Sequence, residues 1–187
     1  MSLISNLKSL AHRRQNSIFS ATMVLAVTFA LSALLGFLRT RFLYAAFFKC
    51  CVLDLDAYNA AFRIPDLIFK LLVTGALSAS FIPVFTSYLH KDKKQAYQMA
   101  SSVINLLLLF FTAISIIAFI FANPISHLIA KGFSDYQINL MSSLTRILLF
   151  AQIFFLISNF LTAILQVNQI FMIPALSPLI YNLFIIL

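Results

Sequence analysis

Acidic residues are scarce in this chain: five Asp and Glu stand against thirteen Lys and Arg. Charge of either sign makes up only 10% of its 187 residues, glycine occurs three times, cysteine twice, and tryptophan never. So little charge beside 62% hydrophobic residues and a mean hydropathy of +1.00 excludes an ordinary soluble domain. The apolar runs are continuous rather than alternating, which excludes a membrane β-barrel. Cys50 and Cys51 are adjacent, so no zinc-type or CxxC spacing exists; they read as small apolar fillers near a helix end. With His12, His90 and His127 in polar or interfacial segments, neither a Ser-His pair nor a carboxylate dyad is visible, so the chain does not read as an enzyme. No cofactor or metal is implied. The net charge of +8 divides between membrane-flanking loops and intramembrane positions, which argues against nucleic acid as a partner.

What is present is a series of apolar runs near the roughly 20 residues that span a bilayer as helix. They predict an all-α, multi-pass membrane protein with five transmembrane helices at about 18–48, 57–89, 95–122, 137–165 and 173–187, after an amphipathic lead-in over 1–17. Residues 49–56 form the first connection, and Ile125 to Tyr136 reads as an interfacial segment. Loop charge sets the orientation. One face would hold Lys8, Arg13, Arg14, Lys91, Lys93 and Lys94, the other Lys49 and Lys131, so the amino end is expected in the cytoplasm.

The second run is the informative one. Arg63, Asp66 and Lys70 lie at i, i+3 and i+7, one face of a helix, with Thr74 and Ser78 extending the stripe while Leu67, Ile68, Leu71 and Leu72 point elsewhere. A charge at mid-bilayer costs about 2.5–3.5 kcal/mol, so two cations facing lipid would lose roughly 5–7 kcal/mol. The charged face therefore belongs in a wet, protein-lined cavity. Arg39, Arg41 and Arg146 add cations within or near the spans, against Asp66 as the one intramembrane acid. Arg146 reads as snorkelling at the outer interface, and Arg41, about 200° around its helix from Arg39, lines a cavity or snorkels. Asp66 and Lys70 form a structural ion pair or share in the cavity. Cations in excess want an anion, and arginine suits phosphate through its forked donors. The expected substrate is an anionic or phosphorylated amphiphile whose head enters the cavity while its tail stays among membrane lipids. Gly36, Pro65, Gly75 and Pro83 are candidate hinge or kink positions.

Leu35-Gly36-Phe37-Leu38-Arg39, Asp56-Ala57-Tyr58, Ala61-Phe62-Arg63-Ile64-Pro65-Asp66-Leu67, Gly75-Ala76-Leu77-Ser78 and Phe81-Ile82-Pro83-Val84-Phe85 resemble the opening of the MurJ/MviN family. Later segments agree, among them Lys131-Gly132-Phe133 and Ile173-Pro174-Ala175-Leu176-Ser177-Pro178. The resemblance implies a lipid II flippase of bacterial cell-wall synthesis in the inner membrane, within the multidrug/oligosaccharidyl-lipid/polysaccharide (MOP) exporter superfamily, with a MATE-like fold. By that analogy two lobes alternate access around a cationic cavity. Arg39, Arg63 and Lys70 would hold the pyrophosphate of lipid II or a similar undecaprenyl-linked glycan. Asp56, Asp66 and Arg41 would serve gating or ion pairing, and Asp56 either pairs with an arginine or caps the second helix. Ala33, Thr40, Phe69 and Thr74 depart from charged positions of the family, which bears on affinity more than on fold. Family members carry many more helices than five, so the chain is expected to be a truncated form: part of the amino-terminal lobe, needing the missing C-terminal lobe or another copy of itself. Two rival readings are an exporter of another lipid-linked oligosaccharide and a non-transporting fragment or assembly subunit.

Overall fold

The computed structural model describes residues 18–48, 50–75 and 77–186. The lead-in, Lys49 and the side chains of Thr74 and Ser78 lie outside the described residues. Within them the chain is mostly helical and contains no strand. In chain order the helices are α1 (Ile18–Phe47), α2 (Val52–Ala61), α3 (Arg63–Phe69), α4 (Ile82–Lys91), α5 (Lys93–Ile120), α6 (Ala122–Ile129), α7 (Asp135–Val167) and α8 (Met172–Ile186). Wide π turns over Lys70–Thr74 and Leu77–Phe81 join α3 to α4. Three of these helices are long and apolar enough to cross a membrane: α1 over Leu25–Phe47, α5 and α7. α8 is apolar but shorter. The expected second span is built from consecutive short elements, α2 to α4 with the π turns, rather than one uniform helix.

That second span begins earlier than the sequence suggests. Cys51 is the residue before the first turn, Asp54 is the acid within that turn, and Asp56 lies inside α2. Asp56 is therefore not a helix cap. The apolar residues Val52, Leu53 and Leu55 extend the helix back through what reads as a connection, and Asp54 suits the positive end of its dipole. Just before it, Cys50 and Cys51 are joined as a disulfide rather than standing as inert fillers.

The described residues divide into two compact units, 18–46 with 161–186, and those within 47–160. In the first, α8 meets α1 through Asn182, whose amide donates to the Ser32 carbonyl and hydroxyl, both at 3.1 Å. Ser32 and Asn182 are both buried, whereas most of α1 is exposed within the chain. α1 runs unbroken through Gly36, where an added Cβ would sit 3.7 Å from Asn182, an ordinary contact.

In the second unit, Ala57, Ala60 and Ala61 of α2 pack with Ala130, Ile138 and Met141. Small residues let helix backbones approach closely, the usual way helices associate where lipid is as apolar as leucine. Around Phe85, which is fully buried, the rings of Phe81 and Tyr97 lie 5.3 and 5.7 Å away, and the Phe160 ring lies tilted against Phe81 at 4.6 Å.

Candidate functional site

Pro65 sets the geometry of the site. It has no N–H to give the Ala61 carbonyl four residues earlier, so α2 ends at Ala61 and α3 starts at Arg63. The freed carbonyl is not left bare, because the buried Thr145 of α7 donates to it at 3.2 Å. Two further polar rungs join the same elements. Gln137 donates to the Leu53 carbonyl at 3.3 Å, and Gln152 donates to the Asp66 carboxylate at 3.1 Å. The partners advance together, 53, 61, 66 against 137, 145, 152, so the α2–α3 segment and α7 run parallel. All three α7 residues are buried.

On the other side of α2–α3, Asp56, Asn59, Arg63, Asp66 and Lys70 follow each other at spacings of three and four, a single stripe. Two hollows open along it. One, of about 430 Å³, is lined by Asp56, Asn59, Ala60 and Arg63 together with Ile129, Ala130, Lys131 and Phe133. The other, of about 490 Å³, is lined by Asn59, Phe62, Arg63, Asp66, Leu67, Lys70 and Leu71. Each holds two cations and one acid, so each is basic on balance. Arg63, Lys70 and Asp56 are exposed, and Asp66 is half-buried.

The structure thus brings Asp56, Arg63, Asp66 and Lys70 together along one face. Leu67 and Leu71 line the second hollow rather than turning away from it, giving the charged groups an apolar wall. Asp66 has Gln152 as its hydrogen-bond partner. Arg39 and Arg41 belong to the first unit, where the Arg39 guanidinium lies 5.9 Å from the centre of the Tyr181 ring, within cation–π range. Arg41 is exposed.

The Arg146 Nε donates to the Phe119 carbonyl at 3.2 Å and its guanidinium lies 5.5 Å from the Phe119 ring centre. Phe119 is in the last turn of α5, where carbonyls lack intrahelical donors, so Arg146 completes that helix end. Pro65 and Pro83 both fall within the first turns of new helices, and Gly75 sits between the two π turns.

Three site residues escape the sequence reading: Asn59, Lys131 and Gln152. Asn59 was legible from the same spacing as Arg63. Lys131 reaches the first hollow through Gly132, whose φ of +99° is a conformation that favours glycine and turns the chain between α6 and α7. Gln152 carried only the signal of a polar residue inside an apolar run.

A family model described as lipid II flippase MurJ matches residues 45–187 of the chain. Similar curated proteins include the probable lipid II flippase MurJ of Buchnera aphidicola subsp. Schizaphis graminum, 30% identical across 91% of this chain and 33% of its own length. The probable lipid II flippase MurJ of Bdellovibrio bacteriovorus is 33% identical across 81% of the chain and 29% of its own length. The lipid II flippase MurJ of Thermosipho africanus is 29% identical across 91% and 35%. The chain spans about a third of the length of these relatives. No solved structure matches it.

Proposed function

The chain belongs to the lipid II flippase MurJ family, and from that premise we propose that it takes part in carrying a lipid-linked diphosphate, lipid II, across the bacterial inner membrane. The observation that carries the proposal is the basic stripe: Arg63 and Lys70 line one hollow with an apolar wall of Phe62, Leu67 and Leu71. A diphosphate head is met by the forked guanidinium donors and by the ammonium as a point charge. The apolar wall suits the first part of a polyprenyl tail that continues into lipid. Asp66, engaged by Gln152, fixes the stripe to α7 while the two cations address the ligand.

In this reading the chain contributes part of one lobe, which alternates access against a second lobe or another copy around a shared cationic cavity. Arg41 and Asp56 act in gating, and the amino end faces the cytoplasm. Six loop cations against two support that orientation. The apolar helices support multi-pass insertion.

The test is translocation of fluorescent lipid II in proteoliposomes that also hold whatever completes the family-length protein. Arg63→Ala and Lys70→Ala should each lower the rate at least tenfold, the loss of one charge-assisted contact at about 1.5–3 kcal/mol. Undiminished lipid II transport in both variants would count against the stripe as the binding element. Transport of a different lipid-linked oligosaccharide, but not lipid II, would reassign the substrate.

A further inference from the structure

We propose that Lys131 makes the first hollow a second station for the same membrane-borne diphosphate, next to the one formed by Arg63 and Lys70; this rests on the function proposed above. Both hollows share Asn59 and Arg63. Seven residues of helix separate Arg63 from Lys70, a rise of about 10 Å, while Lys131 comes from the connection after α6 and closes the stripe's opposite end. Arg63 is thus the middle rung of a three-cation ladder, Lys131, Arg63, Lys70. A head held by Arg63 and Lys70 can exchange Lys70 for Lys131 without releasing Arg63, so the anion keeps a cation partner throughout. That matters because an unpaired charge leaving water loses most of its stabilisation.

The first hollow is chemically distinct from the second. Its apolar wall comes from Ile129, Ala130 and Phe133, and its acid is Asp56. At about 430 Å³ it lies within the roughly 300–1,000 Å³ range of small-ligand sites. Asp56 opposes the anion and weakens the station, as handing the head onward requires. The positive φ of Gly132 holds Lys131 and Phe133 on one turn, so both reach the same hollow.

The experiment uses the chain in phosphatidylcholine nanodiscs with farnesyl diphosphate, a short polyprenyl diphosphate, as the probe and inorganic diphosphate as competitor. Lys131→Gln should weaken farnesyl diphosphate binding about tenfold, and Lys131→Arg should restore it. Arg63→Gln should weaken it more than Lys131→Gln does, since Arg63 serves both hollows. Binding unchanged in Lys131→Gln but lost in Arg63→Gln would overturn the second station and leave the proposed function standing. Binding unchanged in both would remove that function's anion site as well. Inorganic diphosphate should compete only in large excess; displacement at equal concentration would assign the hollow to a free anion and overturn the lipid-borne head. Lys131 is exposed, so Lys131→Gln should leave the helical signal of the chain unchanged.

Discussion

Replacing Thr145 by Val should expose the one backbone carbonyl that Pro65 leaves without a helical donor. Thr145 is fully buried and its hydroxyl donates at 3.2 Å to Ala61. Valine keeps the shape and removes the donor, so the Ala61 carbonyl loses its partner in a place water does not reach. A buried acceptor left bare costs about 1–3 kcal/mol. Interhelical hydrogen bonds in membranes average about 0.6 and reach about 1.7 kcal/mol. The overlap of those ranges gives an expected loss of about 1–1.5 kcal/mol. The measurement is equilibrium unfolding in mixed micelles of increasing denaturing-detergent fraction, followed by helix signal, for the wild type, Thr145→Val, Pro65→Ala and the double variant. Pro65→Ala returns an N–H to position 65, four residues after Ala61, and so supplies the missing donor from within the helix. In that background Thr145→Val should cost little, a coupling of about 1 kcal/mol between the two positions. Equal costs of Thr145→Val with and without Pro65 would refute the argument, because the carbonyl would then not be what the hydroxyl serves.

Two smaller perturbations test neighbouring features. Arg146→Leu should destabilise by about 0.5–1.5 kcal/mol through loss of the donor to the Phe119 carbonyl; faster hydrogen exchange confined to the end of α5 would be its signature, and exchange unchanged there would argue against it. Gly132→Ala places a Cβ where φ is +99° with nothing within 4 Å of it, so the cost is backbone strain alone, about 1–2 kcal/mol, read from the same detergent titration.

How much of this was legible follows from which signals are local. Arg63, Asp66 and Lys70 announce their face by spacing alone, and the structure keeps them on it. Asp56 and Asn59 obey the same spacing, yet a helix boundary drawn at Ala57 cuts Asp56 off the stripe. The short apolar run before Asp56 looks like a loop because two cysteines and two acids crowd it. The rungs from α7 were not legible, for a physical reason. A hydroxyl or amide in a membrane helix can satisfy itself on its own backbone, as Thr86 does on Ile82 and Ser126 on Ala122. Thr145 and Gln152 look the same in sequence, and only a neighbour's position decides that their partners are Ala61 and Asp66. The partner of Arg146 was hidden for the same reason, since the carbonyl it meets is in another helix.

The α2–α3 segment has two jobs on opposite faces, and the division explains its residues. Its inward face offers Ala57, Ala60, Ala61, Ile64 and Ile68, all buried, with the polar rungs supplied by α7. Away from α7 it offers Asp56, Asn59, Arg63 and Lys70, all exposed. At about 100° per residue these two sets fall on arcs that do not overlap. Asp66 stands at their edge, lining a hollow while accepting from Gln152. Such a helix could not sit with its charged arc against acyl chains, where each cation would cost about 2.5–3.5 kcal/mol. Nor could α7 hold it by apolar contact alone, because lipid offers leucine the same contact. Small residues and three hydrogen bonds fix the inward face, and that fixing leaves the charges on the outward face. Loosening the rungs should therefore weaken diphosphate binding without touching a cation, so Gln152→Leu, which leaves Arg63, Lys70 and Lys131 in place, should lower farnesyl diphosphate affinity severalfold. A variant that binds as tightly as wild type would mean that the stripe is held in register by something other than α7.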